Sequence, residues 1–83
     1  MGATIWYRAR SLSGAGSALQ EIRRDVGISQ DDAARQIGSS RPTLSRMERG
    51  EAVQSDVLFD LAARLGYEFV LVPRGSDLKV SQS

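Results

Sequence analysis

The stretch that decides the fold runs from residue 37 to residue 50 and reads IGSSRPTLSRMERG. Ser40 is a favourable helix N-cap, and Pro42 falls in the first turn, where a missing N–H does no harm. Leu44 and Met47 lie three residues apart and therefore share one helical face. The glycine that closes the stretch is a typical helix terminator. The sequence predicts a short helix with a thin buried side and a polar exposed side.

The segment just before it, SQDDAARQIG at residues 29–38, predicts a second short helix. Ser29 is its expected cap, and Asp31 and Asp32 fall in the first turn, where the helix dipole favours acidic side chains. Gly38 ends the helix and supplies the turn. Two short helices joined by a glycine-containing turn are the outline of a helix-turn-helix.

Further helices are expected on both sides of this pair. Apolar residues recur at helical spacing over residues 14–26, where Ser13 is the expected cap, and over residues 55–65, where Ser55 is the expected cap. The chain is therefore expected to be mainly α.

Two segments have the composition of extended backbone. YEFVLVP at residues 67–73 reads as one β-strand, which needs a pairing partner for its backbone groups. The same strand of a second copy is one candidate, and TIWYRAR at residues 4–10 is the other. That N-terminal segment is itself either a short strand or an extended arm.

The composition limits the chemistry that the chain can perform. Its 83 residues include no cysteine and no histidine, which excludes disulfides, thiolate zinc sites and the commonest general base. We therefore expect no enzyme activity, no metal and no cofactor. A chain this short builds only a modest core, so a partner subunit is the remaining support and we expect an oligomer.

Positive charge is concentrated around the opening stretch. The whole chain carries a net charge of only +1, yet residues 35–49 contain four arginines and a single acid, Glu48. A focused patch attracts polyanions, although a solvated arginine face without a partner would have the same composition. No apolar run approaches the roughly 20 residues of a membrane span, and no secretory leader is recognisable. We expect a cytoplasmic protein.

The segment RRDVGISQDDAARQIGSSRPTLSRMERGE at residues 23–51 resembles the Xre family of helix-turn-helix regulators, the fold class of lambda-type repressors and Cro. The resemblance covers about residues 15–66 and implies a lambda-repressor-like DNA-binding domain of four to five helices. It implies that Arg23 and Glu48 form a buried ion pair and that Gln30 contacts a phosphate. The side chains that it places at or near DNA are Gln30, Ser39, Ser40, Arg41, Thr43, Ser45, Arg46 and Arg49.

The segment LAARLGYEFVLVPR at residues 61–74 is similar to HipB-type antitoxins. That likeness implies a C-terminal strand that pairs with its copy across a homodimer, and a palindromic operator. It also implies a kinase-like, HipA-like toxin as partner, whose shared operon the antitoxin represses. The implied interface residues are Tyr67, Phe69, Val70, Leu71 and Val72.

The expected division of the chain is an N-terminal arm at 1–12, a DNA-binding domain at 13–66, a dimerisation strand at 67–73 and a mobile tail at 74–83. The leading hypothesis is a dimeric DNA-binding repressor that is also an antitoxin. One alternative is an Xre-type regulator without a toxin partner. The other is a protein-interaction module of the same fold that does not bind DNA.

Overall fold

The computed structural model describes residues 6–75, so residues 1–5 of the predicted arm and 76–83 of the predicted tail lie outside the described residues. Within 6–75 the chain forms four helices and no strand. They are α1 (Leu12–Asp25), α2 (Gln30–Gln36), α3 (Arg41–Glu48) and α4 (Ser55–Arg64). The mainly helical fold and the helix-turn-helix pair, formed by α2 and α3, are confirmed.

Two of the four predicted caps are wrong. Helix α1 begins earlier than expected, because the Oγ atom of Ser11, and not of Ser13, accepts a hydrogen bond from the N–H of Gly14 at 3.1 Å. At α4 the N-cap position is taken by Gln54, whose backbone is extended and whose side chain makes no cap bond. Ser55 is already the first helical residue.

The core lies around α3, which packs against both α1 and α2, while α4 packs against α1. Leu44, Met47 and Leu61 are fully buried. The remaining buried apolar residues are Leu19, Ile22, Ala33, Ala34 and Ala62. Small residues at two successive positions of α2 let it lie close to α3. The core therefore fixes how α3 is presented to the outside.

Helices α1 and α3 approach each other most closely at Gly16. A β-carbon placed on Gly16 would lie 2.1 Å from the carbonyl oxygen of Met47, a distance that real β-carbons do not adopt. A second close approach joins Gly50 and Ser13, since a β-carbon on Gly50 would lie 2.8 Å from the α-carbon of Ser13. The end of α3 is therefore held against the start of α1 at two points.

Helix α4 is tied to the end of α2 by one arginine. The Nε and Nη2 atoms of Arg64 lie 3.2 and 3.1 Å from the carbonyl oxygen of Gln36. Carbonyls in the last turn of a helix have no partner within that helix, and a basic side chain near them is favourable. Arg64 thus provides, from a neighbouring helix, the hydrogen-bond donor that the Gln36 carbonyl lacks within α2.

The described part of the N-terminal arm meets the segment after α4. Tyr7 and Tyr67 make an edge contact with ring centroids 5.9 Å apart, and Phe69 stacks at 5.0 Å from Phe59 on the outer side of α4. The arm, α1 and this segment enclose a mostly apolar groove of about 500 Å³.

The segment predicted as a dimerisation strand leaves its apolar side chains exposed. Leu71 is 99% exposed, and Phe69, Val70 and Val72 are each about half exposed. Only Tyr67 is partly buried, against the core and Tyr7. The backbone of residues 67–73 forms no ladder within the described chain. Residues 6–10, the described part of the other candidate partner, form no strand either. Pairing with a second copy stays a prediction.

Candidate nucleic-acid interface

The α2–α3 pair is joined by a tight four-residue connection. Gly38 adopts a left-handed conformation with a φ of 68°, which is strained for any residue with a β-carbon. The N–H of Ser39 then donates to the carbonyl oxygen of Ala34 at 2.8 Å and closes the end of α2. Ser40 follows with an extended backbone and accepts from the N–H of Thr43 at 3.3 Å, which starts α3. The connection therefore fixes the angle between the two helices.

Helix α3 divides cleanly into an inner and an outer side. Leu44 and Met47 show no exposure at all. Ser40, Arg41 and Arg46 are exposed on the other side, whereas Ser39, Thr43 and Ser45 are partly buried. The structure thus leaves three of these side chains accessible to a ligand and three of them partly accessible.

A chain of hydrogen bonds runs along the outer side of α3. The hydroxyl oxygens of Ser40 and Thr43 lie 2.9 Å apart, and the Nη2 atom of Arg46 donates to Thr43 Oγ1 at 3.3 Å. The guanidinium of Arg46 is held over the first turns of the helix by an uncharged partner. Its positive charge is therefore not neutralised by this contact.

The two ends of α3 differ in charge balance. Within residues 6–75 no hydrogen bond or ion pair engages the guanidinium of Arg41 at the start of the helix. At the other end the Nε atom of Arg49 lies 2.9 Å from a carboxylate oxygen of Glu51, and Nη1 of Arg49 donates to the hydroxyl of Ser45. The unneutralised positive charge of α3 thus belongs to Arg41 and Arg46.

Glu48 lies on the inner side of the last turn of α3 and is held by three side chains. Arg23 of α1 approaches it with Nε at 2.7 Å and Nη2 at 3.1 Å. The amides of Gln30 and Gln20 donate to the same carboxylate at 2.8 and 3.2 Å. The Nη1 atom of Arg23 also donates to the carbonyl oxygen of Ile28 at 2.6 Å.

The charge of this carboxylate is stabilised although it is buried. The side chains of Arg23 and Glu48 are only 8% and 1% exposed. Burial alone would raise the pKa of Glu48, but the hydrogen bonds from Arg23 and Gln30 and the charge of Arg23 outweigh it and lower the pKa. No buried polar side-chain atom of the described residues lacks a hydrogen-bond partner. The buried charge is therefore fully compensated.

Gln30 bridges the two helices of the pair. It is the first residue of α2, it is only partly buried, and its amide reaches inward to Glu48. A primary amide carries two N–H donors, so one remains for an outer ligand. The start of α2 is thereby linked through Glu48 to the last turn of α3.

The sequence did not single out two residues of this site. Gln20 stands one helical turn before Arg23, and that spacing was the available signal for a shared face. Glu51 lies two residues after Arg49, and its contact with that arginine depends on the folded end of α3.

Arginines on an exposed helix face can donate paired hydrogen bonds to guanine edges or hold backbone phosphates. The α2–α3 pair with these exposed arginines has the arrangement of a DNA-binding helix-turn-helix domain.

Within the described chain, no cluster of acidic residues is arranged to hold a metal ion. Among the four helices described, none is long and apolar enough to span a membrane.

Comparison with known proteins gives the family. Residues 19–72 match the helix-turn-helix family, and the chain belongs to it, as the Xre-type resemblance predicts. No curated protein matches the chain.

Nine chains of solved structures match, and two of these structures illustrate the likeness. The clp gene regulator ClgR from Corynebacterium glutamicum is 31% identical with a TM-score of 0.63, and the match covers 69% of this chain and 62% of that one. This chain thus spans less than two thirds of the ClgR chain. HipB in the HipA-HipB-O2-O3 complex is 20% identical with a TM-score of 0.74, and the match covers 83% of this chain and 99% of that one. At this identity the second match concerns the fold.

Proposed function

We propose that this chain is a sequence-specific DNA-binding transcriptional repressor that acts in the bacterial cytoplasm as a homodimer. The observation that carries the proposal is the two-sidedness of α3. Leu44 and Met47 are wholly buried, while Arg41 and Arg46 are exposed without an acidic partner among the described residues. A short helix of this kind, after a tight turn and against a supporting helix, suits the major groove.

In this proposal the side chains on the outer side of α3 make different kinds of contact with DNA. Arg41 and Arg46 read guanine edges or hold the flanking phosphates. The hydroxyls of Ser39, Ser40, Thr43 and Ser45 make less selective contacts, and Gln30 uses its outer N–H on a phosphate. Glu48 is kept from the DNA face by Arg23, so it does not cancel an outer arginine.

The homodimer supplies two copies of the DNA-recognition helix α3. A two-fold axis through paired copies of residues 67–73 would place two α3 helices on one side of a palindromic operator. Half-site centres are then expected to be roughly 34 Å apart, which is one helical turn of DNA. The exposed apolar side chains at Phe69, Val70, Leu71 and Val72 support this interface.

We further propose that the repressor is the antitoxin of a toxin–antitoxin pair and binds a HipA-like kinase toxin. The support is the fold shared with HipB over nearly its whole length, together with the C-terminal segment that resembles HipB-type antitoxins. Co-expression tests this proposal. The product of the adjacent gene should arrest growth alone, and this chain should restore growth and co-purify with it. Growth arrest that persists would contradict the antitoxin role and leave the repressor role intact.

A regulator without a toxin partner is the second candidate, and the likeness to the regulator ClgR favours it. Gene order separates the two, because a toxin-like reading frame next to this gene is expected only for an antitoxin.

The third candidate is a protein-interaction module that does not bind DNA. Measuring DNA binding at increasing salt concentration tests this candidate. The DNA-binding proposals require retarded migration of duplex DNA at low salt and a steep loss of affinity as salt rises, because bound arginines displace counterions from phosphates. Flat, negligible binding at low salt would refute both DNA readings at once.

A further inference from the structure

The arginines near the proposed DNA face fall into two groups. Arg41 and Arg46 have no acidic partner among residues 6–75, whereas Arg35 pairs with Asp32 and Arg49 pairs with Glu51. The pair of Arg35 and Asp32 lies within α2. The pair of Arg49 and Glu51 lies at the end of α3, next to the outer face.

The contact between Arg49 and Glu51 is exposed and replaceable. The two side chains are 56% and 51% exposed, and the Nε atom of Arg49 lies 2.9 Å from Glu51 Oε2. Exposed ion pairs of this kind contribute little to folding and are screened by salt. A DNA phosphate would use the same donor edge of the guanidinium that the carboxylate now occupies.

Glu51 also lies just beyond the carboxyl end of α3, where an acidic side chain is unfavourable. It follows the last turn of α3, and its N–H donates to the carbonyl oxygen of Arg46 at 2.9 Å. The carboxyl end of a helix carries partial negative charge, which favours cations and disfavours carboxylates. Arg49 suits this position, whereas Glu51 gains nothing there except its contact with Arg49. A role in stabilising α3 is therefore a poor explanation for the acid.

We infer that Glu51 limits the affinity of this chain for DNA by competing with a backbone phosphate for the guanidinium of Arg49. The inference rests on the proposed DNA-binding function and deepens it. Release of Arg49 adds one phosphate contact. Phosphate contacts position a protein without reading sequence, so Glu51 sets how tightly the chain holds any duplex and does not alter base preference.

The test is a Glu51→Gln variant of the full chain, titrated by fluorescence anisotropy with a mixed-sequence duplex of about 30 base pairs. We expect binding about two- to fivefold tighter than wild type at low salt. The slope of log affinity against log salt should steepen by about 0.9, the value for one more phosphate contact.

Two further variants show whether the effect passes through Arg49. Asp60→Asn removes the same charge from an exposed position on α4, and we expect it to leave affinity and slope unchanged. In an Arg49→Ala background, Glu51→Gln should have no effect, because the competed group is gone.

Each outcome has one meaning. Wild-type binding with unchanged affinity in Glu51→Gln would overturn the inference and leave the proposed function standing. An equal gain in Asp60→Asn, or a gain that persists without Arg49, would also overturn the inference, since a general charge effect would then explain it. No binding by wild type at low salt would overturn the proposed function, and the inference with it.

Discussion

At the scale of single residues, Arg46 is the side chain whose substitution says most about base reading. Thr43 holds its guanidinium over the outer side of α3 without neutralising it. If Arg46 reads a guanine, Arg46→Ala should lose about 1 to 3 kcal/mol of discrimination at one base pair per half-site. Affinities for operator duplexes with each base at each position measure this loss.

How the loss of affinity is distributed over the base pairs says more about the role of Arg46 than its size does. A loss confined to one position supports base reading, while uniform weakening across all duplexes shows that Arg46 holds a phosphate. Arg64→Ala is the control, because this arginine lies on α4, outside the residues proposed to contact DNA, and bonds to a backbone carbonyl. It should change stability without changing base preference.

Glu48 is the residue whose charge matters most for folding. Glu48→Gln keeps the shape of the side chain but leaves Arg23, only 6% exposed, as a buried charge without its counter-ion. Removing one partner of a buried pair costs about 3 to 5 kcal/mol. Urea unfolding should report this loss. The exposed Glu51→Gln serves as control and should cost less than about 0.5 kcal/mol; equal losses in the two variants would contradict the assigned role of Glu48.

The same residue predicts a dependence of stability on pH. The folded-state pKa of Glu48 lies below the ordinary value of 4.5, so the unfolded chain binds the proton more readily. The stability that this carboxylate contributes is present above about pH 4.5 and is lost as pH falls through the lower, folded-state pKa. The unfolding free energy of wild type should therefore fall more steeply on acidification than that of Glu48→Gln. Parallel curves would exclude Glu48 as the titrating group.

At the scale of the elements, the contact between α1 and α3 sets the position of the proposed DNA-reading helix. Gly16→Ala would drive a methyl group into the carbonyl oxygen of Met47. We expect a loss of about 1 to 3 kcal/mol in unfolding free energy, typical of overpacking. Ser17→Ala is the matched control, because its side chain is exposed on the same helix and alanine favours helix. A neutral Gly16→Ala would show that the helices separate readily.

Local chemistry made α2 and α3 predictable. Each has a serine N-cap, Ser29 or Ser40, whose hydroxyl accepts a hydrogen bond from the N–H of the third residue of the helix. Each helix also ends shortly before a glycine with positive φ. The start of α1 differs from the prediction because Ser11 and Ser13 both suit a cap by residue type, and the hydrogen bond from the N–H of Gly14 goes to Ser11. At α4 the cap bond is absent, so no side-chain signal marks its first residue.

The site was less accessible to sequence reasoning than the helices. Arg23 and Glu48 are 25 residues apart, and only the family resemblance named them as a pair. Gln20 and Glu51 were missed because surface amides and acids are common and their partners depend on the fold. The strand predicted at 67–73 rests on composition and on the resemblance, and it stays a prediction because the described chain forms no ladder there.

At the scale of the whole molecule, the predicted dimer is tested by a charge in its interface. Val70→Lys should yield monomers in sedimentation velocity and weaker operator binding, because it would bury a charge in the predicted apolar interface. Val26→Lys is the matched control, since Val26 is 56% exposed and Val70 is 55% exposed. It should leave the sedimentation profile unchanged. A wild-type profile for Val70→Lys would place the interface elsewhere.

The exposed run from Phe69 to Val72 has a consequence for solubility. A copy that has met no partner carries a β-prone apolar segment with Leu71 almost wholly in water. An open segment of this kind can also pair with unfolded or nascent chains and seed aggregation. If the proposed dimer covers this segment, lone copies would be the form most open to aggregation and proteolysis, and the amount of intact protein in a cell would depend on how quickly each newly made copy finds a second.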